Sequence, residues 1–144
     1  MFSIGQVSKH TGIKVPTIRY YEEIELVSVK LRSSGNQRRY SNDDLRRLSF
    51  IKHARELGFS IASVRQLLDL SDSDLSSCVD IDRLASDQLL EVKGKIKQLE
   101  KLESELDRML VGCKTGELNK CYVVESLSNH ALCRSDHDKK LVFA

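Results

Sequence analysis

Four cysteines are the residues of this sequence with the clearest chemistry. Cys78, Cys113, Cys121 and Cys133 all fall in the second half of the 144-residue chain. In a reducing compartment, cysteines more often hold metal ions or undergo redox chemistry than form disulfides. The alternative for each is a small, buried apolar side chain. Their spacing along the chain bears on this choice.

Two of the cysteines bracket a short loop. Cys113 and Cys121 are separated by seven residues, and Gly116 lies between them. A glycine-containing loop of this length can bring both thiolates onto one ion. A fourth ligand could come from Cys133 or His130, or be water or another oxygen ligand.

A long stretch without proline separates Cys78 from this loop. A helix rises about 1.5 Å per residue, so Cys78 and Cys113 of one chain would lie roughly 45 to 50 Å apart. If two copies pair antiparallel and cross near Ile96, Cys78 of one subunit meets Cys113 of the other. The spacing therefore favours a site of three soft ligands shared by two subunits.

An apolar stripe along the same stretch predicts the pairing of two copies. One seven-residue series is Val92, Leu99 and Leu106, and the interleaved series is Leu89, Ile96 and Leu110. This repeat is typical of a two-helix coiled coil, although Gly94 and Glu103 weaken it. A lone surface helix could not bury the stripe, so we expect a homodimer.

The number of ligands bears on the metal. Two thiolates in linear coordination suit Cu(I), whereas three or four ligands suit Zn(II), Cd(II), Pb(II) or Hg(II). An iron-sulfur cluster usually needs four closely spaced cysteines, and Cys78 and Cys133 lie far from the central pair. A Cu(I) sensor and an iron-sulfur or thiol redox sensor remain the alternatives to a divalent soft ion.

The N-terminal half has the pattern of a helix-turn-helix. Ser3 can cap a short helix that ends at Gly12, and Pro16 occupies the first turn of a second helix reaching Glu23. Residues 27–40 contain a stretch of alternating apolar and polar side chains and a polar turn. This pattern predicts a small hairpin, or wing. A helix, a glycine-containing turn and a second helix form a helix-turn-helix, a motif that places its second helix in a groove of DNA.

Two more helices and a linker complete the predicted organisation. Ser41 and Ser60 can cap helices that run to Leu57 and to about Leu70. The expected fold class is mainly α: a winged helix-turn-helix domain, a long antiparallel coiled-coil dimerisation helix, and a C-terminal metal-binding loop with a short helix. The predicted boundaries are 1–70 for the DNA-binding domain, 71–79 for a linker, 80–111 for the dimerisation helix, 112–133 for the metal-binding loop and short helix, and 134–144 for a flexible tail.

Basic charge is concentrated in the part predicted to meet DNA. Residues 1–70 hold 12 Lys and Arg against 7 Asp and Glu, and the remainder holds 11 against 14. Such an asymmetry is expected if the first half contacts phosphate. On the second helix, Thr17 and Arg19 can reach base edges or phosphates, and Tyr20 or Tyr21 can pack on the sugar-phosphate backbone.

Three segments resemble the signatures of the MerR family of regulators. They are Thr-Ile-Arg-Tyr-Tyr-Glu at 17–22, Arg-Ser-Ser-Gly-Asn-Gln-Arg-Arg-Tyr at 32–40, and Phe-Ile-Lys-His-Ala-Arg-Glu-Leu-Gly-Phe-Ser at 50–60. The resemblance extends over about residues 2–127 and implies phosphate or base contacts for Arg19, Tyr20, Tyr21, Arg32 and Arg38. Gln37 departs from it, since relatives often have an aromatic residue there. The full set of candidate DNA-contacting residues is Thr17, Arg19, Tyr20, Tyr21, Lys30, Arg32, Gln37, Arg38 and Tyr40.

The resemblance also implies a mechanism and a metal. A dimer of this family sits on an over-long promoter spacer and, when its effector binds, distorts the double-stranded DNA so that RNA polymerase engages both promoter elements. Copper-type sensors of the family have serine at the position of Cys78, whereas divalent-metal sensors have cysteine. The implied effector is therefore a divalent soft ion, Zn(II) first and Cd(II), Pb(II) or Hg(II) next, and the regulated genes are those of metal efflux or resistance.

Other classes of protein find little support. The sequence has no nucleotide-binding glycine loop, no nucleophile motif and no catalytic cluster of histidine and carboxylate, so we do not expect an enzyme. It also has no apolar run of membrane-spanning length and no signal-peptide pattern at its N-terminus. We therefore expect a cytoplasmic protein with no membrane partner.

Overall fold

The computed structural model describes residues 1–29, 31–73, 78–112 and 122–129. The chain divides into two compact units, Met1–Leu84 and Ala85–Phe143. The elements in chain order are α1 (Ile4–Thr11), α2 (Val15–Glu23), β1 (Leu31–Arg32), β2 (Arg38–Arg39), α3 (Asn42–Glu56), α4 (Ile61–Asp72), α5 (Cys78–Gly112) and α6 (Tyr122–Ser128). Within the described residues, none of the helices is both long enough and apolar enough to cross a membrane.

The predicted helix-turn-helix is confirmed, and its local signals act as expected. Ser3 and Gln6 form a reciprocal capping box at the start of α1. The helix ends at Gly12, whose φ of 74° is a left-handed conformation that glycine adopts without a steric penalty. A Cβ at Gly12 would lie 2.7 Å from Lys52 Nζ. Pro16 occupies the first turn of α2, where its missing N–H leaves no helical hydrogen bond unmade.

The predicted wing is a two-stranded antiparallel hairpin. Its Cα partners are Leu31 with Arg39 and Arg32 with Arg38. Asn36 in the turn has a φ of 61°, which asparagine tolerates better than most residues. Beyond β2, Tyr40 exchanges two backbone hydrogen bonds with Phe2, each of 2.9 Å. The wing is thereby joined to the N-terminus of the first unit.

The helices that follow the wing start where the sequence predicts, whereas α4 ends two residues after Leu70. Ser41 and Asp44 form a second capping box at the start of α3, and Ser60 caps α4 by accepting from the backbone N–H of Ser63. Gly58, which ends the preceding helix, has a φ of 88°. Each of these signals lies within three residues of the group it satisfies, which is why the sequence predicts them.

The first unit has its own hydrophobic core, to which helices α1 to α4 and the end of the wing contribute. The buried residues are Val7, Ile13, Ile18, Tyr21, Leu26, Val27, Tyr40, Leu48, Ile51, Ala54, Phe59, Val64, Leu67 and Leu68. Ile81 and Leu84, in the first turns of α5, pack partly buried against this cluster. Full burial of one such aliphatic side chain stabilises the fold by about 1.5 to 3 kcal/mol, so the unit can fold around its own residues.

The long helix is somewhat longer than expected. Helix α5 spans 35 residues without interruption at Gly94 or Glu103. Helices α4 and α5 each extend two residues into the predicted linker at 71–79. At the start of α5, Asp80 pairs with Arg83 at 2.9 Å, and a carboxylate in the first turn is favourable beside the positive end of the helix dipole.

The apolar stripe of α5 is open in the single chain. Its members, Leu89, Val92, Ile96, Leu99, Leu106 and Leu110, are between 37% and 67% exposed. Met109 is buried instead, as is Glu105, which pairs with Arg108 at 2.6 Å. Other parts of the same chain therefore cover that side of the helix and leave the stripe uncovered. The short helix predicted near the C-terminus is α6.

Candidate nucleic-acid interface

Helix α2 has one buried face and one exposed face. Ile18 and Tyr21, three positions apart and therefore on one side of the helix, are buried in the core. Arg19 is exposed and Tyr20 is 47% exposed, while Thr17 is half-buried. Among the described residues, no carboxylate forms an ion pair with Arg19. Its guanidinium is therefore available to phosphate or to base edges.

The wing presents a second set of polar side chains. Arg32 and Arg38 are Cα partners on its two strands, and both are exposed, as is Gln37. Arg32 donates through one terminal nitrogen to the backbone oxygen of Asn36 at 3.2 Å, so it also holds the wing turn. Lys30, predicted as a phosphate contact, lies outside the described residues.

Glu22 joins α2, the second or recognition helix of the helix-turn-helix, to the wing. Its Oε2 forms an ion pair with Arg38, whose Nε lies 2.7 Å away, and its Oε1 accepts a hydrogen bond from the hydroxyl of Tyr40. Each carboxylate oxygen thus contacts one side chain of the wing or its end. The Glu22 side chain is 12% exposed, whereas that of Arg38 is 43% exposed. The pair is therefore shielded from water at the carboxylate and open to water at the guanidinium.

The structure places two of the tyrosines predicted to contact DNA in the core. Tyr40 has no exposed surface and Tyr21 is 7% exposed, so both rings belong to the core. A buried ring cannot pack on a sugar-phosphate backbone without leaving that core. Burial raises the pKa of Tyr40 well above its ordinary value, and the hydrogen bond to Glu22 and the charge of Glu22 add to this rise. Tyr40 is therefore a neutral hydrogen-bond donor that holds Glu22 from the core side of the candidate interface.

An open groove lies between α2 and the wing. Its volume is about 650 Å³, and its charged lining consists of Arg19, Arg32, Arg38, Glu22, Glu23 and Glu25. Glu25 has a φ of 60°, an uncommon conformation for a residue other than glycine. The groove thus combines three guanidinium groups with three carboxylates, and only one pair of these, Arg38 with Glu22, is in direct contact among the described residues.

Several basic residues of the first unit have a different role. Lys52 donates at 2.9 Å to the backbone oxygen of Thr11, the last residue of α1. Arg65 donates to the backbone oxygen of Ile24 at 2.5 Å, and Arg47 donates to that of Leu26 at 2.6 Å. These side chains satisfy carbonyl groups at helix ends and turns. The positive charge of residues 1–70 therefore serves the fold as well as DNA.

Sequence reasoning missed both Glu22 as a link and these carbonyl-capping cations. Glu22 was visible only as one letter of a motif, and its partner Tyr40 is 18 positions away. Lys52 and Arg65 each bind carbonyls 41 positions away. No local pattern marks such pairs, because the contacts arise when separate helices pack.

The structure describes one of the predicted metal ligands. Cys78 is a free, exposed cysteine and the first residue of α5. Cys113, Cys121, His130 and Cys133 lie outside the described residues. Within the described ranges, no three His, Cys, Asp or Glu side chains are grouped so that they could hold a metal ion. The donor chemistry of the predicted set, three thiols and one imidazole or thiol, fits soft divalent ions.

Comparison with known proteins identifies the family. The profile of the MerR HTH family regulatory proteins matches residues 2–71, and a second profile, MerR, DNA binding, matches residues 45–109. Together they cover the first unit and most of α5. The match thus includes the helix-turn-helix, the wing and all of the stripe except Leu110.

Individual relatives agree with the profiles. The HTH-type transcriptional regulator ZntR of Escherichia coli strain K12 is 36% identical over 114 residues, which are 78% of this chain and 81% of ZntR. The HTH-type transcriptional regulator HmrR of Rhizobium leguminosarum bv. viciae is 33% identical over 129 residues, 90% of this chain and 99% of HmrR.

A solved structure has the same fold. The crystal structure of the transcription regulator PbrR691 from Ralstonia metallidurans CH34, in complex with lead(II), matches with a TM-score of 0.75 and 33% identity, over 88% of this chain and 99% of that one. MerR-family regulators bind promoter DNA as dimers, which accords with the exposed face of α2 and the open stripe of α5. The chain belongs to the MerR family of helix-turn-helix regulatory proteins, and it is a DNA-binding transcription regulator rather than an enzyme.

Proposed function

We propose that this protein is a metal-responsive activator that binds a promoter spacer as a homodimer and distorts the DNA when a divalent soft metal ion binds. Zn(II) is the first candidate, followed by Cd(II), Pb(II) and Hg(II), and the controlled genes are those of metal efflux or resistance. Because its partner is promoter DNA, we place it in the cytoplasm. Polymerase responds indirectly, through the altered geometry of its promoter.

The observation that carries the metal site is the position of Cys78. It is the first residue of a 35-residue helix, and Cys113 directly follows the last helical residue, Gly112. At about 1.5 Å per residue, the two ends of this helix lie roughly 50 Å apart. A second chain running antiparallel brings the partner's Cys113 to Cys78, where Cys121 completes three thiolate ligands and Cys133 or His130 is a candidate fourth.

The exposed stripe supports the same pairing. The midpoint between positions 78 and 113 lies next to Ile96, so helices crossing there would place the two ends together. Val92, Ile96 and Leu99 surround that point, and each is at least 37% exposed in the single chain. Their burial against a second copy would supply the favourable free energy of association.

The proposed DNA contacts are those that the structure leaves exposed. Arg19 and Tyr20 on α2 would enter the major groove or its edge, with half-buried Thr17 beside them. In the wing, Arg32, Arg38 and Gln37 would meet phosphates, together with Lys30. Tyr21 and Tyr40 would act from the core by holding these elements in place.

The energy of metal binding is sufficient for the proposed switch. Bending a site of 20 to 30 base pairs costs on the order of 1 to 6 kcal/mol, and moving an equilibrium from 1:99 to 99:1 requires about 5.5 kcal/mol of differential binding. Thiolate-rich zinc sites have apparent binding free energies of about 10 to 16 kcal/mol. A metal that prefers the DNA-distorting state by a part of that energy can therefore drive activation.

Cys78→Ser tests the divalent site against a copper loop within one chain. We expect the variant to keep dimerisation and DNA binding but to lose affinity for Zn(II) by more than about 100-fold, because loss of a ligand exceeds the ten- to hundred-fold effect of losing outer-shell support. Each reduced protein is titrated with Zn(II), Cd(II), Pb(II), Hg(II) and Cu(I), and transcription from its promoter is followed in parallel. Cys133→Ser is the matched control for an optional ligand. A variant that still responds to Zn(II) with wild-type affinity would exclude Cys78 as a ligand.

Mixed dimers test whether the site is shared between subunits. A Cys78→Ser chain is paired with a Cys113→Ser chain, and the number of tightly bound Zn(II) ions per dimer is measured. A cross-subunit arrangement leaves one complete site and one site lacking both cysteines, so we expect one tight ion. A same-chain arrangement damages both sites, and finding no tight ion would contradict the antiparallel pairing.

A further inference from the structure

Glu22 has no assigned function, yet it holds the most exposed cation of the second wing strand. It lies in the last turns of α2, where one carboxylate oxygen forms an ion pair with Arg38, 2.7 Å from its Nε, and the other accepts a hydrogen bond from the hydroxyl of Tyr40. The carboxylate is 12% exposed and the Arg38 side chain 43% exposed. The carboxylate of Glu22 is thus the buried member of the pair, and the guanidinium of Arg38 is the member that faces solvent.

This geometry orients Arg38 before DNA arrives. A guanidinium is planar and has five N–H donors, and the carboxylate of Glu22 lies against it near Nε, at 2.7 Å. This ion pair restricts the positions that the 43% exposed side chain of Arg38 can adopt. An arginine side chain carries about 2 kcal/mol of rotamer entropy, and a side chain that is already ordered loses less of it on binding.

The same carboxylate weakens attraction to DNA in general. It neutralises Arg38 at short range, and it lines the groove in which phosphate would approach. Affinity for non-specific DNA, which depends on net charge, therefore gains nothing from Glu22. Affinity for operator DNA gains from Glu22 where the complex needs Arg38 in one orientation.

We propose that Glu22 is a positioning residue that fixes the guanidinium of Arg38 between the recognition helix and the wing and so increases the preference for operator over unrelated DNA. The proposal rests on the DNA contact assigned above to Arg38. Tyr40 holds the second oxygen of the same carboxylate from the core and prevents it from turning away.

The first experiment compares Glu22→Gln with Glu23→Gln. Both remove one negative charge from the groove lining, but Glu23 is exposed and has no contact with Arg38 among the described residues. Affinities are measured by fluorescence anisotropy for a duplex that the wild-type protein enriches from a random pool, and for a shuffled duplex of the same composition. We expect Glu22→Gln to lower the ratio of the two affinities about tenfold, because an Arg38 side chain that is no longer ordered must lose its rotamer freedom on binding, and Glu23→Gln to leave it within about twofold. An equal change of the ratio in both variants would overturn the proposal.

A double-mutant cycle separates positioning from a general effect on the fold. In an Arg38→Gln background, Glu22→Gln is expected to leave the affinity ratio within about twofold of Arg38→Gln alone, because the residue it positions is gone. A fall as large as in the wild-type background would overturn the proposal. If Arg38→Gln by itself left operator affinity unchanged, the DNA contact assigned to Arg38 would be wrong, and this outcome is distinct from loss of coupling.

Arg38→Lys keeps the test valid if Glu22→Gln does not fold. The substitution is at an exposed position and keeps the positive charge, but it replaces the planar fork with a point charge that the carboxylate cannot orient. We expect Arg38→Lys to lower the affinity ratio nearly as far as Arg38→Gln does. A wild-type ratio in Arg38→Lys would show that charge alone is enough and would overturn the positioning role of Glu22.

Discussion

The two units of this protein differ in whether their apolar side chains are buried within the unit. Among its described residues, the first unit buries 14 hydrophobic side chains in one cluster, all between Val7 and Leu68. In the second unit Met109 is the only buried hydrophobic residue among those described, and most of the large apolar side chains of α5 are exposed. The first unit thus contains the partners for its own apolar groups. The second leaves its stripe exposed, which supports the proposal that another copy covers it.

The largest effect is expected from a charge placed in the apolar stripe of α5. Leu99→Asp places a carboxylate on each chain near the proposed crossing point, and burying an unpaired charge costs several kcal/mol. We expect a monomer at micromolar concentration and a loss of operator affinity of more than about 100-fold, because a dimer binds both half-sites and a monomer binds one. Sedimentation and anisotropy measure these two properties.

Leu90→Asp is the matched control for that substitution. Leu90 lies on the same helix and is 67% exposed, but it belongs to neither apolar series. We expect it to dimerise and bind the operator like the wild type, and circular dichroism should show the first unit folded in both variants. A Leu99→Asp protein that remained dimeric would mean that the stripe does not form the interface.

An intermediate effect is expected at the polar link inside the first unit. The pKa of Tyr40 is raised in the folded protein, mainly by burial, so the unfolded chain loses this proton first, near its ordinary pKa of about 10. The contribution of Tyr40 to stability is therefore fully present below pH 10 and falls by about 1.4 kcal/mol per pH unit above it. The advantage of wild type over Tyr40→Phe in urea unfolding should shrink from pH 9.5 to 11.

Exposed Tyr20→Phe serves as the control for loss of a phenol outside the core. Stability differences are taken at each pH and at one protein concentration, so that dimerisation affects all samples alike. Parallel curves for wild type and Tyr40→Phe across this range would contradict the buried, neutral hydroxyl described here.

The smallest expected effect concerns the backbone strain that the first unit retains. Glu25 adopts a φ of 60° directly after α2, which costs a residue with a Cβ about 1 to 2 kcal/mol. Glu25→Gly removes this cost but adds chain entropy to the unfolded state, so we expect a gain of roughly 0.5 kcal/mol in the free energy of unfolding. The urea midpoint should rise, and it should rise less for Asn36→Gly, whose φ is 61°. A lower midpoint for Glu25→Gly would show that the Glu25 side chain stabilises the turn.

Much of the fold could be predicted because its signals are local. Ser3, Ser41 and Ser60 each accept a hydrogen bond from a backbone group three residues ahead, and Gly12 and Gly58 adopt the positive φ that their positions predict. The linker was the least accurate prediction, since both flanking helices extend two residues into it. Propensity changes little over such polar residues, and capping contacts determine the end.

The candidate DNA interface could be predicted only in part. A motif and the helical period place Arg19 and Tyr20 on the exposed face of α2, as the structure does. The same motif could not separate Tyr20 from Tyr21, or show that Tyr40 is buried. Those distinctions depend on which face of each element packs against the core.

The sequence by itself determined the order of elements, their caps, the unburied stripe and the cysteine spacing, because each depends on residues near in the chain or on a repeat along one helix. The tertiary structure alone decided which charges stay exposed and which hold the fold together. Arg47, Lys52 and Arg65 bind carbonyl groups that are 21 to 41 positions away, and Glu22 joins α2 to the wing. The physical reason is that a charged side chain pairs with whatever polar group packing brings within about 3 Å, and sequence separation carries no information about that distance.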